Sequence, residues 1–293
     1  MKAAPVVLIV GSLHHDIMIE ADHLPRRDET AVGTCWYPKF GGKGGNQAVA
    51  AANAGVVARM FGAVGRDGFG AFLIAALDAG GVDRRFVREI PDAASGMSVA
   101  IMDRAGDYAA TIVSGANLLL DAVALTDDAL WQDVAVLVLQ NEVPEAVNIA
   151  AANQARARGA KVVLNAAPAR LLPPALRRYV DVLIVNAVEA GMMGTEPVTD
   201  LPSAMAAARH LATGFDSVIV TAGSHGLAAL TLDGEKLIVP ATPVRVVSTH
   251  GAGDCFTGTA AAALAHGHPL AEACRAASES AARHVSGLDI WTT

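Results

Sequence analysis

The chain has 293 residues, 53% hydrophobic and 17% charged, which excludes a disordered chain and is ample for the core of one large domain or two small ones. Lys and Arg number 22 against 29 Asp and Glu, a formal charge of −7 with no dense basic cluster, which argues against nucleic-acid binding. Aromatics are only 4%, so the core must be built from Ala, Val and Leu.

The first element is a buried strand, Val6–Val10, whose apolar run is too short for a signal peptide and leads straight into Gly11. No window reaches the length of a membrane span, and Cys35, Cys255 and Cys274 lie far apart with no CxxC pair. The expectation is a soluble cytoplasmic protein with reduced thiols and neither a zinc site nor a redox dithiol. Residues 17–40 and 98–114 look like antiparallel strands of one small sheet set apart from the main layer, a lid spanning about 12–40 and 95–115. The second segment carries a turn at 103–107.

Between these lid segments lies Gly41-Gly42-Lys43-Gly44-Gly45-Asn46-Gln47, followed by an Ala-rich helix at 48–54. Glycines let a backbone approach a ligand closely, and a helix start aims free N–H groups at it. Lys43 adds a charge, and Asn46 offers a donor and an acceptor. A nucleotide P-loop would need Ser or Thr after the lysine, and Gly44 stands there. Four glycines with Lys and Asn exceed what a tight turn requires, so this segment reads as a ligand site.

Further on, residues 134–139, 161–164, 182–185 and 217–220 are short, almost wholly apolar runs that predict buried parallel strands. Helical spacing at 144–158 and 201–212 lies between them, and the alternation predicts one α/β domain over 1–293 with a mostly parallel central sheet. Asp233-Gly234 marks a hairpin turn. A strand at 244–247 is expected to lead into Ser248-Thr249-His250-Gly251-Ala252-Gly253-Asp254 and a helix at 255–266. Gly251, Ala252 and Gly253 would turn successive N–H groups toward a helix start, an anion hole with Asp254 beside it. Taken alone, Asp254 would read as an acidic residue favouring the helix dipole. A dinucleotide fingerprint fails here, because Phe256 stands where its third glycine belongs.

Together these segments resemble the ribokinase, or PfkB, family of carbohydrate and nucleoside kinases, over nearly the whole chain. Gly11-Ser12…Asp16 resembles its first sugar loop, and Gly41 to Ala48 is similar to the ribokinase branch in its Lys and Asn. Glu142 stands where that branch has a sugar-contacting Glu, and Asn165-Ala166-Ala167-Pro168-Ala169 resembles another of its motifs. Asn186…Glu189 resembles an NxxE motif of the magnesium–phosphate network, Thr221 to Gly226 a nucleotide-phosphate loop, and Gly251 to Asp254 the catalytic motif.

The resemblance implies a three-layer fold and ATP-dependent phosphorylation of a sugar, ribose first, with Asp254 taking the proton of the attacking hydroxyl. Gly251, Ala252 and Gly253 would steady the transferring phosphoryl group. His14, Asp16, Gly41, Gly42, Lys43, Asn46 and Glu142 would hold the sugar. Asn186, Glu189, Thr221, Gly223, Ser224, Gly226, Ala252 and Gly253 would hold the nucleotide. Magnesium would ride on ATP and meet Glu189 through water. The lid would exclude water and pair two subunits into a homodimer.

Three departures qualify the resemblance. His14, next to His15, replaces an Asn of the sugar loop, and either ring could stack on a nucleobase, so a nucleoside kinase is the second reading. Ser248 stands where an Asp helps to hold an activating K⁺; Ser248 and His250 are left as its expected ligands, and a neutral hydroxyl is the poorer one. The sequence ends at Thr293, soon after Ser286-Gly287, so a rebuilt or incomplete adenine wall and cation site are expected. A third reading, a sugar- or nucleotide-binding regulator, would not need the base that Asp254 supplies.

Overall fold

A computed structural model describes residues 4–105 and 108–288. In chain order its strands and α-helices are β1 (Val6–Val10), β2 (His14–Ala21), β3 (Gly33–Gly41), α1 (Lys43–Asn53), β4 (Val57–Gly65), α2 (Gly68–Ala79), β5 (Asp83–Ile90), β6 (Met97–Met102) and β7 (Tyr108–Val113). There follow α3 (Asp128–Trp131), β8 (Val134–Gln140), α4 (Glu145–Ala157), β9 (Lys161–Asn165), α5 (Pro174–Arg177), β10 (Val182–Asn186), α6 (Ala187–Met192) and α7 (Leu201–Leu211). The rest are β11 (Ser217–Thr221), β12 (Gly226–Thr231), β13 (Lys236–Pro240), α8 (Ala252–Ala265) and α9 (Leu270–Val285).

Nine strands form the main sheet in the order β13-β12-β11-β10-β9-β8-β1-β4-β5, parallel except for the β12 and β13 edge. Its central strands, such as β1, β8 and β10, are almost wholly apolar because both faces are covered, whereas the edge strands β5 and β13 carry charged and exposed residues. Leu8 and Val10 join Leu137, Leu139, α4 and α7 on one side, while Val7 and Ile9 join α1, α2, α8 and α9 on the other. Each fully buried Leu or Val contributes about 1.5–3 kcal/mol. The second sheet, β3-β2-β6-β7, has antiparallel outer pairs, and β2 and β6 run parallel at its centre. It contains both segments expected to form a lid, although Gly106 and Asp107 of the expected turn lie outside the described residues.

The local boundaries differ from the sequence expectations in three places. Helix α1 begins at Lys43, so Gly44 and Gly45 are helical, and only Gly42, at φ 85°, caps it. Helix α8 likewise begins at Ala252, which puts Asp254 at its third position. Residues 244–247 are not a strand: Val246 and Val247 are exposed, and the backbone instead donates from Val247 and Ser248 to the Val285 carbonyl at the end of α9. Val247 stays largely exposed beside Gly287, just past the end of α9.

Helices α1 and α8 meet unusually closely. A Cβ on Gly258 would lie 2.4 Å from the Gln47 carbonyl oxygen and 2.5 Å from the Ala50 side chain. The glycine therefore permits a contact that brings two helix N-termini to one place, above the carboxyl ends of β1, β8, β9 and β10, where parallel sheets place their ligands.

Candidate active site

Asp254 sits at the centre of this convergence. Its carboxylate is 8% exposed and accepts hydrogen bonds from Asn46 Nδ2 at 3.0 Å and Gln47 Nε2 at 2.9 Å. Burial raises its pKa above the ordinary aspartate range, while Lys43 and the two amides pull it down. Gln47, fully buried, also donates to Asn165 Oδ1 at 3.1 Å and accepts from Gln140 Nε2 at 2.7 Å. Gln47 stood in the quoted motif, but no role was expected of it. Its spacing gives no hint of function, and only the α1–α8 contact points it at Asp254.

Lys43 occupies the first position of α1, where the helix dipole disfavours a cation. Burial opposes its charge, but Asp254, Glu142 and Glu189 more than offset this and hold its pKa above the usual value. It thus lies among three carboxylates from three different segments.

Among the residues expected to hold the sugar, Glu142 Oε2 accepts from the Ser12 hydroxyl and from the Lys43 backbone N–H. Asp16 accepts from the Ser98 hydroxyl of β6, and its pKa is raised by burial. A Cβ at Gly41 would lie 2.0 Å from Asp16 Oδ2, so the glycine makes room for that carboxylate. Gly42 is close-packed on the backbone of Leu13 and His14. Two further basic residues surround Asp16. Lys39 faces it across the β2–β3 ladder, and His250 Nε2 lies 3.9 Å from its Oδ2, too long for a hydrogen bond. Burial, with Lys39, Lys43 and His284 nearby, pushes His250 down to about 4, so it is neutral at pH 7.

The two adjacent histidines part company. His15 stacks on Phe69 at 4.1 Å and meets Phe72 edge-on, so its ring belongs to the packing of α2 against the small sheet. His14 is 3% exposed, with Nδ1 4.0 Å from Glu142 Oε2 and Nε2 buried without a hydrogen-bond partner. Neither ring presents an open face to a nucleobase, which removes the motive for base stacking.

Among the residues expected to hold the nucleotide, Asn186 caps α6 by accepting from the Glu189 N–H, and Glu189 accepts in return from the Asn186 N–H. Glu189 has a raised pKa from burial, moderated by Lys43. Its second carboxylate oxygen suits a cation arriving with phosphate oxygens. Among the described residues no group of three or more His, Cys, Asp or Glu gathers to hold a resident metal. Thr221 lies opposite Asn186 across the β10–β11 ladder, and Gly223 and Ser224 belong to the turn that follows. Gly226 closes that turn at φ 110°, its carbonyl accepting from the Ala222 N–H, which is a backbone role.

In the loop before α8, Gly251 takes the left-handed conformation, φ 80°, and caps α8. The Ala252 N–H makes a long 3.3 Å bond to the Thr249 carbonyl, so it is committed to the turn. A Cβ on Gly253 would meet nothing within 4 Å, which leaves its backbone approachable in the first turn, where helix N–H groups lack internal partners. The expected cation ligands are arranged otherwise. Ser248 Oγ accepts from the His250 N–H at 3.3 Å, and the His250 carbonyl lies 2.9 Å from His284 Nε2. A carbonyl only accepts, so Nε2 carries the proton. The His250 carbonyl is thus already taken by an N–H, and the Ser248 hydroxyl is neutral and bound within the loop, so these residues do not fit K⁺.

Residues 6–287 match the model of the pfkB family carbohydrate kinase. The ribokinase of Arabidopsis thaliana is 32% identical over 290 residues, covering 95% of this chain and 75% of the plant protein. The ribokinase of Bacillus subtilis (strain 168) is 30% identical over 280 residues, covering 95% and 92%. The structure of Arabidopsis thaliana ribokinase complexed with ribose and ATP superposes with a TM-score of 0.88 at 29% identity, covering 96% of this chain and 93% of that one. Sequence and fold agree along the described chain: this protein belongs to the pfkB family of carbohydrate kinases.

Proposed function

We propose that this carbohydrate kinase transfers the γ-phosphoryl group of ATP to a hydroxyl of ribose or a related pentose, with Asp254 as the general base. The observation that carries this reading is the carboxylate of Asp254, buried at the start of α8 and held by Asn46 and Gln47 beside Lys43. The similarity to a ribokinase complexed with ribose and ATP supports the substrates.

In the reaction the acceptor hydroxyl gives its proton to Asp254 while its oxygen forms a bond to the γ-phosphorus. The bond from that phosphorus to the β-bridging oxygen breaks, leaving ADP. A positioned base contributes about 10²–10⁴-fold, and orientation and charge stabilisation supply most of the remainder. Asp16, Glu142, Lys43 and Asn46, with His14 beneath them, orient the sugar. Backbone N–H groups around Gly251 and Gly253 and the Lys43 ammonium meet the charge of the moving phosphoryl group. Glu189, with Asn186, would hold magnesium through water, and the bound ion would neutralise phosphate charge. Thr221, Gly223, Ser224 and Gly226 would line the nucleotide phosphates. The β3-β2-β6-β7 sheet acts as the lid and the homodimer contact, and the protein works in the cytoplasm; no described helix is long and apolar enough to cross a membrane.

The test is Asp254→Asn. The variant is expected to bind ATP and ribose nearly as the parent does, measured by calorimetry, and to lose about 3–5 kcal/mol of barrier lowering. More than about a tenth of the parental kcat in the variant would remove Asp254 from the role of base. Turnover of no pentose by the parent, with binding intact, would favour the regulator reading.

A further inference from the structure

The loop before α8 must hold its shape for the backbone around Gly251 and Gly253 to face a phosphoryl group. Three contacts of this chain's own do that holding. The Val285 carbonyl accepts from both Val247 and Ser248, the Ser248 hydroxyl accepts from His250, and the His284 imidazole donates to the His250 carbonyl. His284 stands directly beneath the loop: a Cβ on Gly251 would lie 3.2 Å from its Nε2. A bound monovalent cation could order such a loop by drawing carbonyl oxygens inward. Here an N–H on α9 already occupies the carbonyl of His250, one of the two residues expected to hold the cation, and the neutral hydroxyl of Ser248 stands where the resemblance places an acid.

We propose that His284 is a positioning residue that orders the catalytic loop through the His250 carbonyl, in place of a monovalent cation, so that turnover is independent of K⁺. The inference rests on the kinase reading for its catalytic consequence alone. The geometry that ties 248–251 to α9 stands apart from the identity of the acceptor. The imidazole acts from outside the pocket: it touches backbone, and its effect reaches the reaction through the shape of residues 250–253.

The experiment compares the parent, His284→Leu and His284→Asn, with ribose as acceptor, in tetramethylammonium chloride and in KCl at equal ionic strength. The parent is expected to change rate by less than about twofold between the salts, and its melting temperature is expected to be the same in both. His284→Leu, which cannot donate, should lose kcat by about tenfold with little change in calorimetric affinity for ribose or ATP. Its backbone amides from 248 to 254 should exchange with solvent faster than the parent's. His284→Asn keeps a side-chain N–H donor and should recover part of the rate and of the protection. Activation of the parent several-fold by KCl, or a KCl-specific rise in its melting temperature, overturns the proposal. So does a His284→Leu variant whose loop exchange equals the parent's. Should no acceptor be turned over, the kinase reading falls, and the loop exchange and KCl melting comparisons still decide the role of His284.

Discussion

At Asp254, burial and hydrogen bonding pull in opposite directions. Burial lifts the pKa, while Lys43, Asn46 and Gln47 favour the charged form that a base requires. A base works when deprotonated, so the rate is full above this pKa and is lost as pH falls through it. Gln47→Met removes one donor and raises the pKa further, and the acidic limb of the kcat/KM profile is expected to move to higher pH. A lower plateau with an unmoved limb would show that Gln47 does not act through the charge on Asp254. His14 calls for a different measurement. Its Nε2 is buried without a partner, and an amide offers two donors and two acceptor lone pairs where a neutral imidazole offers one of each. His14→Asn is expected to shift kcat/KM toward ribose, relative to other pentoses, by about 1 kcal/mol, roughly fivefold. Unchanged substrate ratios would make His14 a bystander.

The elements that matter most are α1 and α8, which place two helix starts around one carboxylate. Their closeness depends on Gly258, where any side chain meets the Gln47 carbonyl oxygen at 2.4 Å. The obstacle is backbone, so relief requires one helix to shift against the other. Gly258→Ala should destabilise the fold by about 1–3 kcal/mol, read from urea unfolding, and should lower kcat by lengthening the Gln47–Asp254 contact. A variant that unfolds earlier yet keeps its kcat would separate the helix contact from the geometry of the base.

On the scale of the molecule, the β3-β2-β6-β7 sheet brings Asp16 and Ser98 to the site while leaving a large aromatic in solvent. Trp36 on β3 is 66% exposed, and Val32 and Val113 are exposed as well. Such apolar exposure on a small sheet fits a subunit contact. Trp36→Glu is therefore expected to turn the proposed dimer into a monomer in sedimentation velocity runs, with the melting temperature of the main domain little changed. A parent that sediments as a monomer, or a variant that remains dimeric, would end that assignment.

The sequence by itself determined the main layer and the chemistry of its rim. Runs such as Val182–Val185 are apolar at every position because both faces of a parallel strand are covered, and that requirement is local. The residues that follow those strands, Ser12, Glu142, Asn165 and Asn186, could be read in order for the same reason. The strands β4 and β5 escaped notice because Arg59, buried and bonded to Asp83, and the charged run of β5 conceal their periodicity. Helices α2 and α9 also went unrecognised. Only the tertiary structure decided which side chains meet. Gln47 and Asp254 are 207 residues apart, and His250 and His284 are 34. His14 and His15 look alike in sequence, but alternation along β2 sends one toward Glu142 and the other onto Phe69. Contacts of this kind depend on the packing of distant elements, and no local pattern of residues encodes them.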